Sequence, residues 1–132
     1  PGETDADFIE SYEFIDKMKF AGLHIFPYSG RPGTAASNMS DQIAIDVIRE
    51  RSRLMHEINK KSQTQFIDSF VGCELDVLWE SYKFDDDLVC WSGLTSNYLR
   101  AYAYTDGDNY LRNVITKTKM LETFRGGLLG HV

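Results

Sequence analysis

The chain has 132 residues, of which 42% are hydrophobic and 26% are charged, and its net charge is -6. This composition is typical of a folded globular chain, and the charge excludes a polypeptide that binds nucleic acid through overall basicity. The apolar runs are too short to cross a bilayer, and no basic-then-apolar signal segment opens the sequence. We therefore expect a cytoplasmic protein, with no membrane partner, made of one or two small domains.

The two cysteines, Cys73 and Cys90, belong neither to a CxxC motif nor to a cluster-binding triplet. His24, His56 and His131 have no cysteine or carboxylate at a spacing that would complete a metal site. We therefore predict no metal site and interpret both cysteines as small buried hydrophobic residues.

The chain opens with the pattern of an amphipathic helix. Thr4 and Asp7 resemble a capping box, in which the threonine oxygen accepts a backbone N–H and the acid lies at the positive helix end. One apolar stripe at helical spacing follows, formed by Phe8, Tyr12 and Ile15. These signals predict a helix from about Asp5 to Lys17, and Gly22 is expected to end that stretch.

Leu23 to Phe26 is a short apolar run between a glycine and a proline, which predicts a strand buried on both faces in a parallel sheet. From Pro27 to Ser40 glycine, proline and small residues indicate a loop. Ser40 can then cap a long helix that runs to about Lys61. Its apolar face contains Ile43, Val47, Leu54 and Ile58, and its other faces carry Arg49, Glu50, Arg53 and Glu57. Because glutamates are interspersed among these arginines, a solvated face is favoured over an RNA-binding stripe.

After Ser62 the apolar period changes from about 3.6 to about 2, which predicts strands. In the first strand the alternating residues of the buried face are Cys73, Leu75, Val77 and Trp79. Further strands are predicted at Leu88 to Ser92, at Tyr98 to Tyr104 and at Asn113 to Lys119. The acidic clusters Asp85 to Asp87 and Asp106 to Asp108 fit turns. Calcium loops are the alternative, but both clusters lack the EF-hand ligand pattern.

Short strands joined by polar turns predict a small barrel that resembles the oligonucleotide-binding class. The fold class is therefore α+β, with one unit at residues 1–62 and a second at residues 63–132. Basic residues number 8 against 10 acidic ones before Ser62, and 6 against 10 after it. Since neither half is basic, contact with RNA has to depend on local clusters, on stacking or on a partner domain.

Several motifs resemble the C-terminal part of the radical-adenosylmethionine (radical-SAM) methylthiotransferases. They are Pro1-Gly2-Glu3-Thr4-Asp5 with Phe8, His24-Ile25-Phe26-Pro27-Tyr28-Ser29, Arg31-Pro32-Gly33-Thr34-Ala35-Ala36 with Met39, Arg49 with Arg51 and Leu54, and Gly93-Leu94-Thr95-Ser96-Asn97-Tyr98. The resemblance spans essentially the whole chain and is sharp from Pro1 to Ala36 and from Gly93 to Arg100. Leu23 to Ser29 and Asn97-Tyr98 look most like the branch that modifies threonylcarbamoyladenosine in tRNA.

This resemblance implies that residues 1–62 are a strand and helix remnant of a radical-SAM α/β barrel, and that residues 63–132 are a TRAM-type RNA-binding barrel. In that family S-adenosylmethionine and iron-sulfur clusters carry the chemistry, and the cluster-binding CxxxCxxC motif is absent from this chain. The implied full-length enzyme adds a methylthio group to threonylcarbamoyladenosine in tRNA. This portion alone is expected to be inactive and to hold no cofactor. Its implied partners are tRNA and the remainder of the radical-SAM domain.

Five residues are candidates for one wall of the cofactor site. They follow implied barrel strands, at the face where such barrels bind their ligands: Gly2, Glu3, Tyr28, Ser29 and Arg31. An aromatic face, a hydroxyl and a planar cation suit adenosine or phosphate recognition. A purely structural turn is the alternative for the first two residues.

The second half contains seven candidate RNA-binding residues. Hydroxyl, amide, aromatic and cationic groups meet on or beside one strand at Thr95, Asn97, Tyr98 and Arg100. By period, Tyr98, Arg100, Tyr102 and Tyr104 share a face on which unstacked bases can lie, although packing of the tyrosines against another strand is an alternative. Lys117, Lys119 and Arg125 are candidate phosphate contacts.

Two rival functions stay open. One is a freestanding TRAM-type RNA-binding module without chemistry. The other is a portion of a ribosomal-protein methylthiotransferase, which the acidity of the second half favours. Self-association is also expected of an incomplete barrel, because missing strands leave sheet edges and apolar helix faces exposed.

Overall fold

The computed structural model describes residues 1–106 and 110–132, so Gly107 and Asp108 of the second predicted turn lie outside the described residues. Within them the helices and strands are α1 (Asp5–Met18), α2 (Ile45–Asp68), β1 (Glu74–Asp85), β2 (Leu88–Thr95), β3 (Arg100–Thr105), β4 (Ile115–Phe124) and β5 (Gly127–His131). A short 3-10 helix lies at Ala36–Asn38. The chain divides into two compact units, Pro1–Gln63 and Thr64–Val132. None of the described helices has the length and apolar character needed to span a membrane.

Helix α1 begins where the sequence predicts. Thr4 Oγ1 accepts the backbone N–H of Asp7 at 3.2 Å, and the Asp7 carboxylate accepts the backbone N–H of Thr4 at 2.8 Å. Hydrogen bonds from the side chain and then from the backbone of Thr4 lower the pKa of Asp7. The helix ends at Met18, where Lys19 rather than Gly22 adopts the left-handed conformation, with φ of 51°. The predicted stripe is half-buried: Phe8, Tyr12 and Ile15.

The strand predicted at Leu23 to Phe26 is wrong for this chain. The run has no regular secondary structure, and Phe26 is 83% exposed. A doubly buried strand needs neighbouring strands on both sides, and the described part of the first unit contains none. Instead the backbone N–H of Leu23 donates to Asn59 Oδ1 of α2 at 2.8 Å.

Helix α2 begins four residues later than a Ser40 cap predicts, and it ends later, at Asp68. Ser40 does not cap it, because the Gln42 amide donates to the carbonyls of Ala36 and Met39 and holds the preceding segment as a loop.

On the exposed face of α2, Arg53 pairs with Glu50 at 2.7 Å and with Glu57 at 2.5 Å, which confirms the prediction of a solvated face. The bonds to Glu50 raise the pKa of Arg53, and Arg53 lowers the pKa of Glu50.

The second unit is a closed barrel with strand order β1-β2-β3-β5-β4, which confirms the prediction of a small barrel. Neighbouring strands are antiparallel except β3 and β5, which pair in parallel. The fully buried core side chains include Val77, Trp79, Ala101, Ala103, Met120 and Leu128. Cys90 is buried as predicted, whereas Cys73 is exposed because it precedes β1 instead of lying within it.

A β-bulge divides β1 into two stretches. Odd-numbered residues face the core in the first stretch, and even-numbered residues face it in the second. Before it, Val77 and Trp79 point into the core and are 0% exposed. The register shifts between Trp79 and Ser81, after which Tyr82 pairs with the core residue Trp91. An extra residue reverses the alternation, so Ser81 and Lys83 lie on the outer face of the barrel.

Candidate functional site

A cavity of about 280 Å³ lies in the first unit, lined mainly by apolar side chains. Among the five predicted cofactor-binding residues, Glu3 and Tyr28 line this cavity. Ser29 and Arg31 are exposed outside it. The structure thus brings together two of the five candidates.

Arg51 of α2 organises the turn that contains Glu3. Its Nη1 lies 2.5 Å from Glu3 Oε2, and its Nη2 lies 2.7 Å from Asp5 Oδ1. The guanidinium also lies 5.3 Å from the centre of the Phe8 ring. These carboxylates, Asp5 first, raise the pKa of Arg51. One oxygen of Glu3 is therefore already occupied within the unit.

Gly2 has a structural reason to be glycine. Its φ is 80°, and its N–H donates to the carbonyl of Asp41 at 2.9 Å. A Cβ atom here would lie 2.5 Å from Asp41 Oδ2. The left-handed backbone conformation favours glycine, whereas the Asp41 carboxylate is the end of a flexible side chain that could move away from a Cβ atom.

In the barrel, a turn between β2 and β3 presents Tyr98 to solvent. The Thr95 hydroxyl donates to Asn97 Oδ1 at 2.5 Å and accepts the N–H of Leu99 at 2.9 Å. Thr95 is buried, whereas Tyr98 has a φ of 63° and is 84% exposed. Thr95 therefore shapes the turn, and Tyr98 lies at its tip instead of in a strand as predicted.

The outer face of β3 carries three of the four residues that were predicted to share a face. Arg100, Tyr102 and Tyr104 alternate with the two buried alanines of β3. The rings of Tyr102 and Tyr104 meet Phe124 edge-on, with centroids 5.3 Å and 6.3 Å away. Both tyrosines are thus engaged in packing across the barrel wall, the alternative that the sequence left open.

A groove of about 250 Å³ lies on this outer wall. We call it the wall groove, and it is lined by Ser81, Lys83, Cys90, Ser92, Arg100, Tyr102 and Arg125. Arg100 and Arg125 are predicted RNA-binding residues, and Lys83 is a cation that sequence reasoning missed. Two acids outside the lining hold the arginines: Glu80 lies 2.9 Å from Arg100, and Asp85 lies 3.6 Å from Arg125.

The two remaining predicted phosphate contacts lie on β4, away from the wall groove. Lys117 Nζ lies 3.8 Å from Glu74 and 4.0 Å from Asp76. Lys119 Nζ donates to the carbonyl of Gly72. In the described parts of the chain, no three His, Cys, Asp or Glu side chains come together as a metal site would require.

Known proteins similar to this chain decide its family. No family model matches. A tRNA-2-methylthio-N(6)-dimethylallyladenosine synthase of Wolbachia pipientis subsp. Culex pipiens is 31% identical over 132 residues, 98% of this chain and 29% of that protein. A threonylcarbamoyladenosine tRNA methylthiotransferase of Bacillus subtilis is 32% identical over 123 residues, 92% of this chain and 27% of that protein. This chain is homologous over nearly its whole length to part of the tRNA methylthiotransferases.

The chain spans less than a third of the length of these relatives. A third relative, a dimethylallyladenosine-type synthase of Agrobacterium fabrum, is 40% identical over 80 residues, 61% of this chain and 18% of that protein. Among the relatives aligned over most of the chain, the one named for dimethylallyladenosine and the one named for threonylcarbamoyladenosine are thus about equally similar to it.

Proposed function

We propose that this chain is the tRNA-binding portion of an enzyme that adds a methylthio group to threonylcarbamoyladenosine in tRNA by radical-SAM chemistry. The observation that carries the proposal is similarity along nearly the whole chain to tRNA methylthiotransferases, in a chain whose second unit is a closed barrel. The first unit would be the end of the radical-SAM domain, and the barrel would be a TRAM domain. Since tRNA is its substrate, the enzyme would act in the cytoplasm.

Little of the cofactor site would come from this chain. One cysteine is exposed and the other buried, so the chain's own thiols do not fit an iron-sulfur cluster. Tyr28 and the free oxygen of Glu3 fit one wall of an S-adenosylmethionine site, because an aromatic face suits the adenine ring and a carboxylate accepts hydroxyl or ammonium donors. The bound cofactor would supply the radical chemistry, while these two residues would orient it. The isolated chain would be inactive.

The tRNA would bind to the outer surface of the barrel. Tyr98 and Asn97 lie on an exposed turn, and Arg100 and Arg125 line the wall groove nearby on the same unit. An exposed aromatic ring can stack on an unpaired base, and cations beside it can contact the backbone. Lys117 and Lys119 would give weaker phosphate contacts, because acids or a carbonyl already face their ammonium groups.

Dimethylallyladenosine is the second candidate substrate. It is favoured by the Wolbachia synthase, which is 31% identical over 98% of this chain. The two nucleosides differ in the group on N6 of adenosine, so the choice between them depends on contacts near that group. The relatives named above act on tRNA, which supports tRNA over a ribosomal protein as the substrate.

Analysis of the nucleosides of tRNA tests the proposal. Total tRNA from a strain that lacks the gene should lose the methylthio derivative of threonylcarbamoyladenosine and retain the unmethylthiolated nucleoside, and the restored gene should reverse this. Loss of the methylthio derivative of dimethylallyladenosine instead would establish the second candidate. If both derivatives persist unchanged, the proposed activity is wrong.

A further inference from the structure

We infer that the wall groove binds a phosphate group of the tRNA backbone, and that Lys83 is the cation that contacts it. The inference rests on the proposed function, because it presupposes that the barrel binds tRNA. It adds the chemical group that is bound, the place where it binds and a contact residue that the sequence patterns did not indicate.

The distribution of charge is the first argument. After Ser62 the chain has 6 basic and 10 acidic residues, so the barrel as a whole repels a polyanion. Three of those six cations nevertheless line a single groove, and no carboxylate lines it with them. A local cluster of cations on an acidic protein directs a phosphate to one place on its surface.

The pairing of these cations is the second argument. Arg100 is paired with Glu80 and Arg125 with Asp85, so acids beside the groove partly balance both guanidinium charges. Arg125 is further held over the Phe124 ring, 4.7 Å from its centre. Lys83 is exposed, and its ammonium group has no hydrogen bond or ion pair with the described residues. Its charge is therefore available to a ligand without the loss of an existing partner.

The polar lining is the third argument. The hydroxyls of Ser81 and Ser92 lie 3.0 Å apart on the groove, and the Ser92 hydroxyl also lies 3.5 Å from the Ser81 carbonyl oxygen. When Ser92 donates to either of these Ser81 oxygens, the Ser81 hydroxyl keeps its own donor for a ligand. Hydroxyls and cations together are the groups that proteins most often direct at phosphate oxygens. A base is the poorer occupant, because the Tyr102 ring in the groove already packs against Phe124.

The position of Tyr98 agrees with a backbone site. It lies at the tip of the turn that leads into β3, two residues before Arg100. A nucleotide whose phosphate lies in the wall groove can place its own or its neighbour's base on this exposed ring. The groove would thus anchor the strand, and Tyr98 would supply the stacking surface.

Binding of the 132-residue chain to a tRNA transcript at several salt concentrations tests the inference. Each phosphate contact contributes about -0.7 to -0.9 to the slope of log K against log salt. Lys83→Gln should weaken binding several-fold and make that slope shallower by about one contact. Arg125→Gln should act in the same direction. Arg112→Gln is the matched control, because it removes an exposed cation of the same barrel that does not line the groove.

The outcomes separate the inference from the proposed function. If the wild-type chain binds no tRNA even at low salt, the proposed function fails and the inference fails with it. If the wild type binds and Lys83→Gln behaves like Arg112→Gln, the groove inference alone is wrong. It is also wrong if binding weakens at an unchanged salt slope. Lys83→Arg retains the charge and should retain the binding, which separates a lost contact from a damaged barrel.

Discussion

At the scale of single residues, Asp85 joins two side chains of the barrel wall. The Tyr104 hydroxyl donates to Asp85 Oδ2 at 2.7 Å, and Arg125 lies 3.6 Å from the same oxygen. The hydrogen bond to Asp85 is the main cause that raises the pKa of Tyr104 to about 12. Ionised Tyr104 would lose this bond and face a carboxylate, so the bond favours the neutral phenol.

Tyr104 should therefore ionise late in an alkaline titration followed by ultraviolet absorbance. The folded pKa is raised above the unfolded value of about 10, so the stability that the bond contributes is complete below about pH 10. It is lost as the pH rises through about 12. Tyr104→Phe should remove the late step and Asp85→Asn should move it to lower pH. Tyr98→Phe should leave it in place, and a late step that persists in Tyr104→Phe would contradict this assignment.

The residues that sequence predicts best are those whose partners are near in the chain. Thr4 and Asp7 are three positions apart, and both bonds of the predicted capping box form. Lys83 shows the opposite case. Its groove partner Arg125 lies far along the chain, between β4 and β5, and a bulge between Trp79 and Ser81 decides which way Lys83 points. In the sequence of β1, the aromatic residues change from an odd position, 79, to the even positions 82 and 84. This change was the sequence signal that could have indicated the bulge.

At the scale of elements, β1 and β2 approach closely at Gly93, just before the bulge. A Cβ atom on Gly93 would lie 2.3 Å from the carbonyl oxygen of Leu78 and 2.9 Å from Val77 Cγ1. The first contact is with backbone, which cannot move without disturbing the strand pair. Glycine at this position in the motif around Tyr98 is thus required by the packing of two strands.

Gly93→Ala should destabilise the barrel by about 1–3 kcal/mol, the usual cost of overpacking. Both tryptophans of the chain are buried in the barrel, so their fluorescence during urea unfolding reports on this unit. Gly30→Ala is the control, because its Cβ would meet only the Tyr28 side chain at ordinary contact distances. An unchanged unfolding midpoint for Gly93→Ala would show that the two strands can separate without cost.

Helices and strands could be predicted where a single hydrophobic period holds along the whole segment. The alternation of Leu75, Val77 and Trp79 predicts β1, and the burial of these residues follows it. Leu23 to Phe26 has the composition of a buried strand, but composition cannot supply the neighbouring strands that such a strand needs. β5 has no counterpart among the predicted strands because two of its five residues are glycine. Gly127 is required there, since a Cβ would lie 2.2 Å from the Arg100 carbonyl oxygen.

At the scale of the whole molecule, net charge is a poor guide to the candidate interface. The chain carries a charge of -6, yet its wall groove is lined by three cations and no carboxylate. The sequence indicated that RNA binding would need a local cluster of side chains, and it identified Arg100 and Arg125 as candidates. It could not assemble the groove, because the five strands that close the barrel bring together residues from 81 to 125.

Under the proposed function, an enzyme that contains this chain should use the wall groove to bind tRNA and not in the chemical step. A phosphate held far from the reacting atoms is bound equally in the ground state and in the transition state. Removal of such uniform binding raises KM and leaves kcat unchanged. Initial rates at varied tRNA concentration should therefore show a raised KM for Lys83→Gln and Arg125→Gln, and no change for Arg112→Gln. A fall in kcat at constant KM would mean that these cations act on the reacting nucleoside, in which case the groove is part of the active site and not an anchor for the backbone.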